Sequence, residues 1–179
     1  MAKRFTLLCH ANAVEADNDQ WRVLSAKGLA QAHIKRDELN RKFDLVVSSP
    51  AQRALTTAEI IGCDEGGVMK LDSLYMPACG HKNLLQPLFK RVGDASFRTY
   101  LEADKEEALK LYGEKAASDI DGLVAAFAAD EILIVGHPIL LNAVAAEIIG
   151  SETDEVHYTR FGECEGIEVT FAPAVRLIK

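Results

Sequence analysis

Three short apolar runs, Phe5–Cys9, Leu45–Ser48 and Ile132–Val135, each pass straight into a segment with the chemistry of a helix start. Runs of this length, bounded by turn signals, read as buried strands, and strands alternating with helices point to a parallel sheet in an α/β fold. Ligands of such open sheets settle beyond the carboxyl ends of the strands. The residues to weigh first are therefore those that follow the three runs: His10 after the first, Arg53 in the first turn after the second, and His137 after the third. Two imidazoles and a guanidinium gathered at one rim suit a tetrahedral, anionic phosphoryl group.

The rest of the chain extends this pattern. A polar loop from Asn12 to Gln20 precedes a helix capped by Ser25 and ending near Lys42. Its apolar face is expected at Leu29, Ala32 and Ile34 through Leu39, with Lys35, Arg36, Glu38 and Arg41 toward solvent. Ser49 is a candidate N-cap with Pro50 at the first helical position, and that helix should reach Ile61. A short strand is expected at Val68–Leu71. From Tyr75 to Phe127 no strand patterning is visible, and Pro77, Gly80, Pro87, Gly93 and Gly113 divide the stretch into helices over 83–92, 96–112 and 114–129 that should cap one edge of the sheet. A strand at Glu131–Val135 leads into a helix over Pro138–Ile149 stopped by Gly150. Val156–Arg160, Gly166–Phe171 and Val175–Ile178 alternate like antiparallel strands.

With 179 residues, 49% hydrophobic and 26% charged, the chain is expected to be one domain over 1–179 that needs neither disulfide nor metal to hold a core. A formal charge of −7 opposes nonspecific contact with nucleic acid and with anionic membranes. The apolar run behind Lys3 and Arg4 is too brief for a signal peptide or a membrane span, so the expected location is cytoplasmic. Cys9, Cys63, Cys79 and Cys164 are scattered without a Cys-x-x-Cys pair, which fits reduced thiols. Cys9 beside His10 does not make a cysteine-nucleophile loop, because that loop requires an Arg six positions on, where Glu15 stands. Cys9, His10, Cys79 and His81 lack the spacing of a tetrahedral metal site, and no cofactor is expected.

Leu7-Leu8-Cys9-His10-Ala11 resembles the Leu-x-Arg-His-Gly start of the histidine phosphatase superfamily, with Cys9 in place of the Arg. Ser48-Ser49-Pro50-Ala51-Gln52-Arg53-Ala54-Leu55-Thr56-Thr57-Ala58 is similar to that superfamily's Ser-Pro-x-x-Arg-Ala-x-x-Thr-Ala block, and Val135-Gly136-His137 to its late Gly-His. Arg22-Val23-Leu24-Ser25-Ala26-Lys27-Gly28 looks like the Arg-x-Leu-Thr-x-x-Gly of the small bacterial phosphohistidine phosphatases. The resemblance implies a three-layer α/β/α sandwich of phosphoglycerate-mutase type, with a mostly parallel sheet and a helical insertion over about 75–129.

It also implies roles. His10 would be the nucleophile, because a neutral imidazole held at one nitrogen attacks phosphorus with the other. Arg53 and His137 would bind the transferring group, where fixed donors aimed at its oxygens carry most of the rate gain. Cys9, Asn12 and Arg22 fall at substrate-binding positions. Cys9 cannot act as a clamp, and loss of one such donor costs about 10²–10³ in rate. Arg22 is the first candidate to replace it, ahead of Lys82 and His81, although Arg22 can equally pair with Glu15, Asp17 or Asp19. The general acid is open between Asp72 and His81, and the missing Glu-Gly signature disfavours a mutase. His33 and His157 lie outside every block and read as filler. The expectation is metal-independent hydrolysis of a phosphomonoester or protein phosphohistidine through a phosphohistidine at His10, at reduced activity. The alternative is a phosphate-binding or regulatory protein that keeps the pocket. Either way the partner is a phosphorylated small molecule or phosphoprotein.

Overall fold

The computed structural model describes residues 3–62, 67–150, 156, 159–171 and 174–178. The elements are β1 (Arg4–Cys9), α1 (Ala26–Leu39), β2 (Leu45–Ser48), α2 (Gln52–Gly62), β3 (Met69–Lys70), α3 (Lys82–Val92), α4 (Phe97–Ala103), α5 (Ala108–Phe127), β4 (Glu131–Gly136), α6 (Leu140–Ile149), β5 (Gly166–Thr170) and β6 (Ala174–Ile178). Their sheet runs β3-β2-β4-β1-β5-β6. The first four strands in this order are mutually parallel, and β5 and β6 close one edge antiparallel.

Alternation along the strands builds a core on each face. Phe5, Leu7, Leu45, Val47, Ile132 and Ile134 point to one side and pack with α3 to α6. Leu8, Val46, Leu133 and Val135 point to the other, against Ala32 of α1 and Ala54, Ala58 and Ile61 of α2. This is the expected three-layer sandwich.

Several local expectations change. On α1 the buried residues are Gly28, Ala32 and Lys35, whereas Leu29 and Ile34 are 42% and 58% exposed. Gly28 leaves room for the Asn12 carbonyl, which would lie 2.0 Å from a Cβ there, Ala32 packs against α2, and Lys35 passes under Glu38, to which its ammonium donates at 2.7 Å. The helix stops at Asn40, in the left-handed region at φ 42°, rather than near Lys42. The α2 helix begins at Gln52, not at Pro50: the first carbonyl in its ladder is that of Ala51, which accepts the Leu55 amide at 3.0 Å, while the Ser49 hydroxyl accepts the Ala51 amide and pairs with His137.

In the insertion the break falls at Asp104–Glu107 and not at Gly113. Both Asp104 carboxylate oxygens accept amides of the next helix start, from Ala108 at 3.0 Å and Leu109 at 2.7 Å. Gly113 lies inside α5, where a Cβ would sit 2.7 Å from the Ala143 carbonyl oxygen, so its bare backbone admits α6. With Leu109, Tyr112, Ala116, Ile120 and Val124 buried, α5 belongs to the main helical layer, which leaves α3 and α4 as the cap.

Of the expected strand at Val156–Arg160, Val156 is helical and Thr159 and Arg160 are loop, while His157 and Tyr158 lie outside the described residues, as does Cys63. The Asn142 side chain on α6 donates to the carbonyls of both Val156 and Thr159 at 2.9 Å, satisfying acceptors that a neighbouring strand would otherwise take. The third strand shrinks to the exposed pair Met69–Lys70.

Candidate active site

Because β2, β4 and β1 are adjacent and parallel, their carboxyl ends share one edge, with Cys9 level with Gly136 and Ser48 level with Val135. The chain leaves each strand tied to its neighbour: the His10 amide donates to Gly136 and the Ser49 amide to Val135. His10 and His137 thus meet edge to face, their ring centroids 5.2 Å apart.

Arg53, 5% exposed in the first turn of α2, lies between the two rings. Its Nε donates to His10 Nε2 at 3.0 Å and its Nη2 to His137 Nδ1 at 3.3 Å. His10 Nδ1 lies 2.8 Å from the Ala11 carbonyl oxygen, which can only accept, so the proton is on Nδ1 and the lone pair on Nε2. By the same reasoning His137 carries its proton on Nε2 and gives it to Ser49 Oγ at 2.8 Å. Burial is the main cause that lowers the His10 pKa to about 4, and the Arg53 charge adds to it against the Ala11 hydrogen bond. Burial also drives His137 well below the ordinary imidazole value, with His10 and Arg53 adding to it. Both rings are neutral at physiological pH.

Thr57 fixes the backbone beneath this pair. Its hydroxyl accepts the Ala11 amide at 3.0 Å and donates to the Arg53 carbonyl at 2.7 Å, so one α2 side chain registers the turn after β1. On the other side, Ile139 adopts φ 66° and ψ −50° in a γ-turn whose Leu140 amide reaches the Pro138 carbonyl at 2.7 Å. A β-branched residue in that region is strained. The turn inserts two residues between His137 and α6, so His137 is not at the helix start that the sequence suggested.

The site lies at one end of a cavity of about 460 Å³, roofed by Phe89 of α3 and Tyr100 of α4. Arg22 lines it, with ion pairs to Glu15 at 2.8 Å and Asp19 at 3.4 Å. Asp19 was legible only as a partner of Arg22, yet it is central: its carbonyl accepts Arg53 Nη1 at 2.6 Å, and its Oδ2 accepts Arg53 Nη2 and the Tyr75 hydroxyl, each at 3.1 Å. Burial raises the Asp19 pKa, but the Arg53 charge and the hydrogen bonds from Arg53, Tyr75 and Arg22 outweigh it and hold the carboxyl ionised. Burial and the Asp19 charge push Tyr75 up to about 12. Tyr75, Asp19 and Arg160 at the cavity wall, and Ser49 against His137, are the site residues that sequence reasoning missed.

Five expected residues lie elsewhere. Cys9 is 1% exposed and directs its thiol at the Phe161 carbonyl, 3.8 Å away in the core. Asn12 is a clasp between loops, accepting the Ser25 hydroxyl at 2.5 Å and donating to Glu163. Asp72 is exposed in a short 3-10 turn, and His81 opens α3 with its carbonyl accepting Leu84 and Leu85; neither lines the cavity. Lys82 does not line it either. Among the described residues, no group of three or more His, Cys, Asp or Glu side chains could hold a metal ion.

Two neutral imidazoles are thus bridged by a buried guanidinium at the carboxyl edge of a parallel sheet, an arrangement with the donors to hold a tetrahedral anion. Residues 7–74 match the family model of the histidine phosphatase superfamily (branch 1). No curated protein matches the sequence. Among solved structures, the fold is similar to a phosphoserine phosphatase from Entamoeba histolytica in complex with 3-phosphoglyceric acid (TM-score 0.67, 17% identity, 99% of this chain and 95% of that one). It is also similar to the protein histidine phosphatase SixA complexed with tungstate (TM-score 0.62, 15% identity, 98% and 94%). Phosphoglycerate mutase from Bacillus anthracis is a further likeness (TM-score 0.63, 16% identity, 94% and 88%).

Proposed function

We propose that this protein hydrolyses a phosphoryl substrate without a metal, through a covalent phosphohistidine at His10 Nε2. The observation that carries the reading is the tautomer of His10: its Nδ1 proton is held by Ala11, which leaves the Nε2 lone pair on the Arg53 side of the ring. In the resting state that lone pair accepts from Arg53 Nε. On binding, the guanidinium turns its donors from His10 and Asp19 to two phosphoryl oxygens, where its fork geometry fits. Nε2 then forms the N–P bond as the bond to the leaving group breaks. Water afterwards cleaves N–P, returning neutral His10 and inorganic phosphate.

Among the described residues, none at the site is poised as a proton donor. Asp19 is ionised, and Tyr75, with its pKa at about 12, is a weak acid. A substrate whose leaving group departs readily is therefore favoured, as a phosphohistidine side chain does, and SixA is a protein histidine phosphatase of the same fold.

A second reading, a phosphate-binding or regulatory protein, is favoured by two observations: a buried thiol at Cys9 in place of a cation, and an Asp19 carboxylate already held by Arg53. The discriminating experiment incubates wild type and His10→Ala with p-nitrophenyl phosphate and with a phosphohistidine peptide. Hydrolysis should fall at least about 10³-fold in His10→Ala, and a rapid quench of wild type in alkaline detergent should trap an acid-labile, alkali-stable phosphoenzyme. Equal rates in the two proteins alongside tungstate binding by wild type would establish the binding role instead.

A further inference from the structure

Arg160 also lines the cavity, on the loop between α6 and β5, and its position is built rather than incidental. The residue before it, Thr159, is held through its carbonyl by the fully buried Asn142 of α6. The residue after it, Phe161, is buried and receives the Cys9 thiol at its carbonyl. Three residues further on, the Cys164 amide donates to the His10 carbonyl at 3.4 Å. The loop is thus pinned to the turn after β1, and Cys9, where a clamping guanidinium is absent, takes part in seating the segment that carries another.

From this geometry we infer that Arg160 supplies the phosphoryl group with the guanidinium that β1 does not provide, an inference that rests on the phosphatase reading above. The Arg160 charge is felt at Cys9, where it lowers the thiol pKa against the larger effect of burial. Its resting partner is Asp94, between α3 and α4, in an ion pair whose side chains are 40% and 86% exposed. Exposed pairs contribute little, so a phosphoryl dianion entering the cavity takes the guanidinium from Asp94. Arg22 is less free to do so, since its Nε donates to the Val14 carbonyl and its terminal nitrogens hold Glu15 and Asp19.

Calorimetric titration of wild type, Arg160→Ala, Arg160→Lys and Asp94→Asn with tungstate, alongside p-nitrophenyl phosphate kinetics and melting curves, tests the assignment. Arg160→Ala should bind tungstate at least about tenfold more weakly and lose about 10²-fold in kcat/KM, at unchanged Tm, with Arg160→Lys in between and Asp94→Asn binding as tightly as wild type or more so. Undiminished tungstate binding by Arg160→Ala overturns the assignment and leaves Arg160 as a cap latch, and so does a loss in Asp94→Asn equal to that in Arg160→Ala. If wild type itself binds no tungstate, the phosphate-site reading fails first and takes this one with it.

Discussion

Burial holds the His10 imidazole at a pKa of about 4, well below the ordinary histidine value, and this single residue ties chemistry to pH in two ways. A nucleophile must be neutral, so kcat/KM, corrected for the second ionisation of the substrate's own phosphate near pH 6, should stay level from pH 8 to about 5 and fall with a midpoint near 4. An acid limb near 6.5 would mean a solvated ring and would sink the buried arrangement. Stability follows the same sign. The folded pKa lies below the unfolded value of 6.5, so the unfolded chain takes up the proton first, and stability complete above pH 6.5 is lost progressively toward pH 4. By pH 5 His10 alone accounts for about 2 kcal/mol, a fall in Tm of about 4–8 °C relative to pH 7 in a chain of this size. His137 adds in the same direction. Ser49→Ala leaves the His137 Nε2 proton unpaired in a residue 8% exposed, so it should lower stability by about 1–3 kcal/mol and reduce kcat more than it raises KM. Equal activity in this variant would remove Ser49 from the site. The imidazoles and Arg53 were legible because they sit in motif blocks at strand ends. Tyr75 and Arg160 were not, because their places depend on how the cap and the tail loop fold back over the sheet.

Helix α5 shows how an element can carry the right residues and still be read wrongly. Gly113 looks like a breaker in sequence, yet it is the point at which α5 and α6 approach, whereas Gly122 on the same helix faces open space. A methyl group therefore has opposite effects at the two positions. Gly122→Ala should stabilise by about 0.5–1 kcal/mol through helix propensity alone. Gly113→Ala should destabilise by about 1–3 kcal/mol, because its methyl would lie 2.7 Å from the Ala143 carbonyl oxygen, and α6 can yield only by shifting the turn that carries His137. Chemical denaturation of both variants checks the pair; stabilisation by Gly113→Ala would show that the two helices are not in close contact. The α1 face was misread for a related reason. Leu29 and Ile34 are apolar but exposed, while the inward row of Gly28, Ala32 and Lys35 is chosen for closeness, which hydropathy does not register.

At the scale of the molecule, the alternation of strands and helices made the parallel sheet and its two helical layers readable, since each strand run is apolar on both faces. The strand order was not, because it depends on β4 entering between β2 and β1 after the long insertion. Three buried thiols sample the result. Cys9 packs in the core beneath α5 and α6, Cys164 in the core beneath α1 and α2, and Cys79 in the loop that leads to the cap. Burial raises all three above the ordinary thiol range, Cys164 to about 11, so none presents an appreciable thiolate while the fold is closed. Reaction with a thiol reagent must then wait for opening, and what opens decides the order. Cys79 can be uncovered by movement of the cap alone. Cys9 and Cys164 lie on opposite faces of one sheet and need the whole structure to come apart. Labelling followed residue by residue by mass spectrometry should therefore give a faster phase at Cys79 and a slower, shared phase at Cys9 and Cys164 that accelerates with denaturant in step with global unfolding. Early reaction of Cys9 by itself would mean that the end of β1 opens independently, and a strand end that loosens in this way could not hold His10 against Arg53.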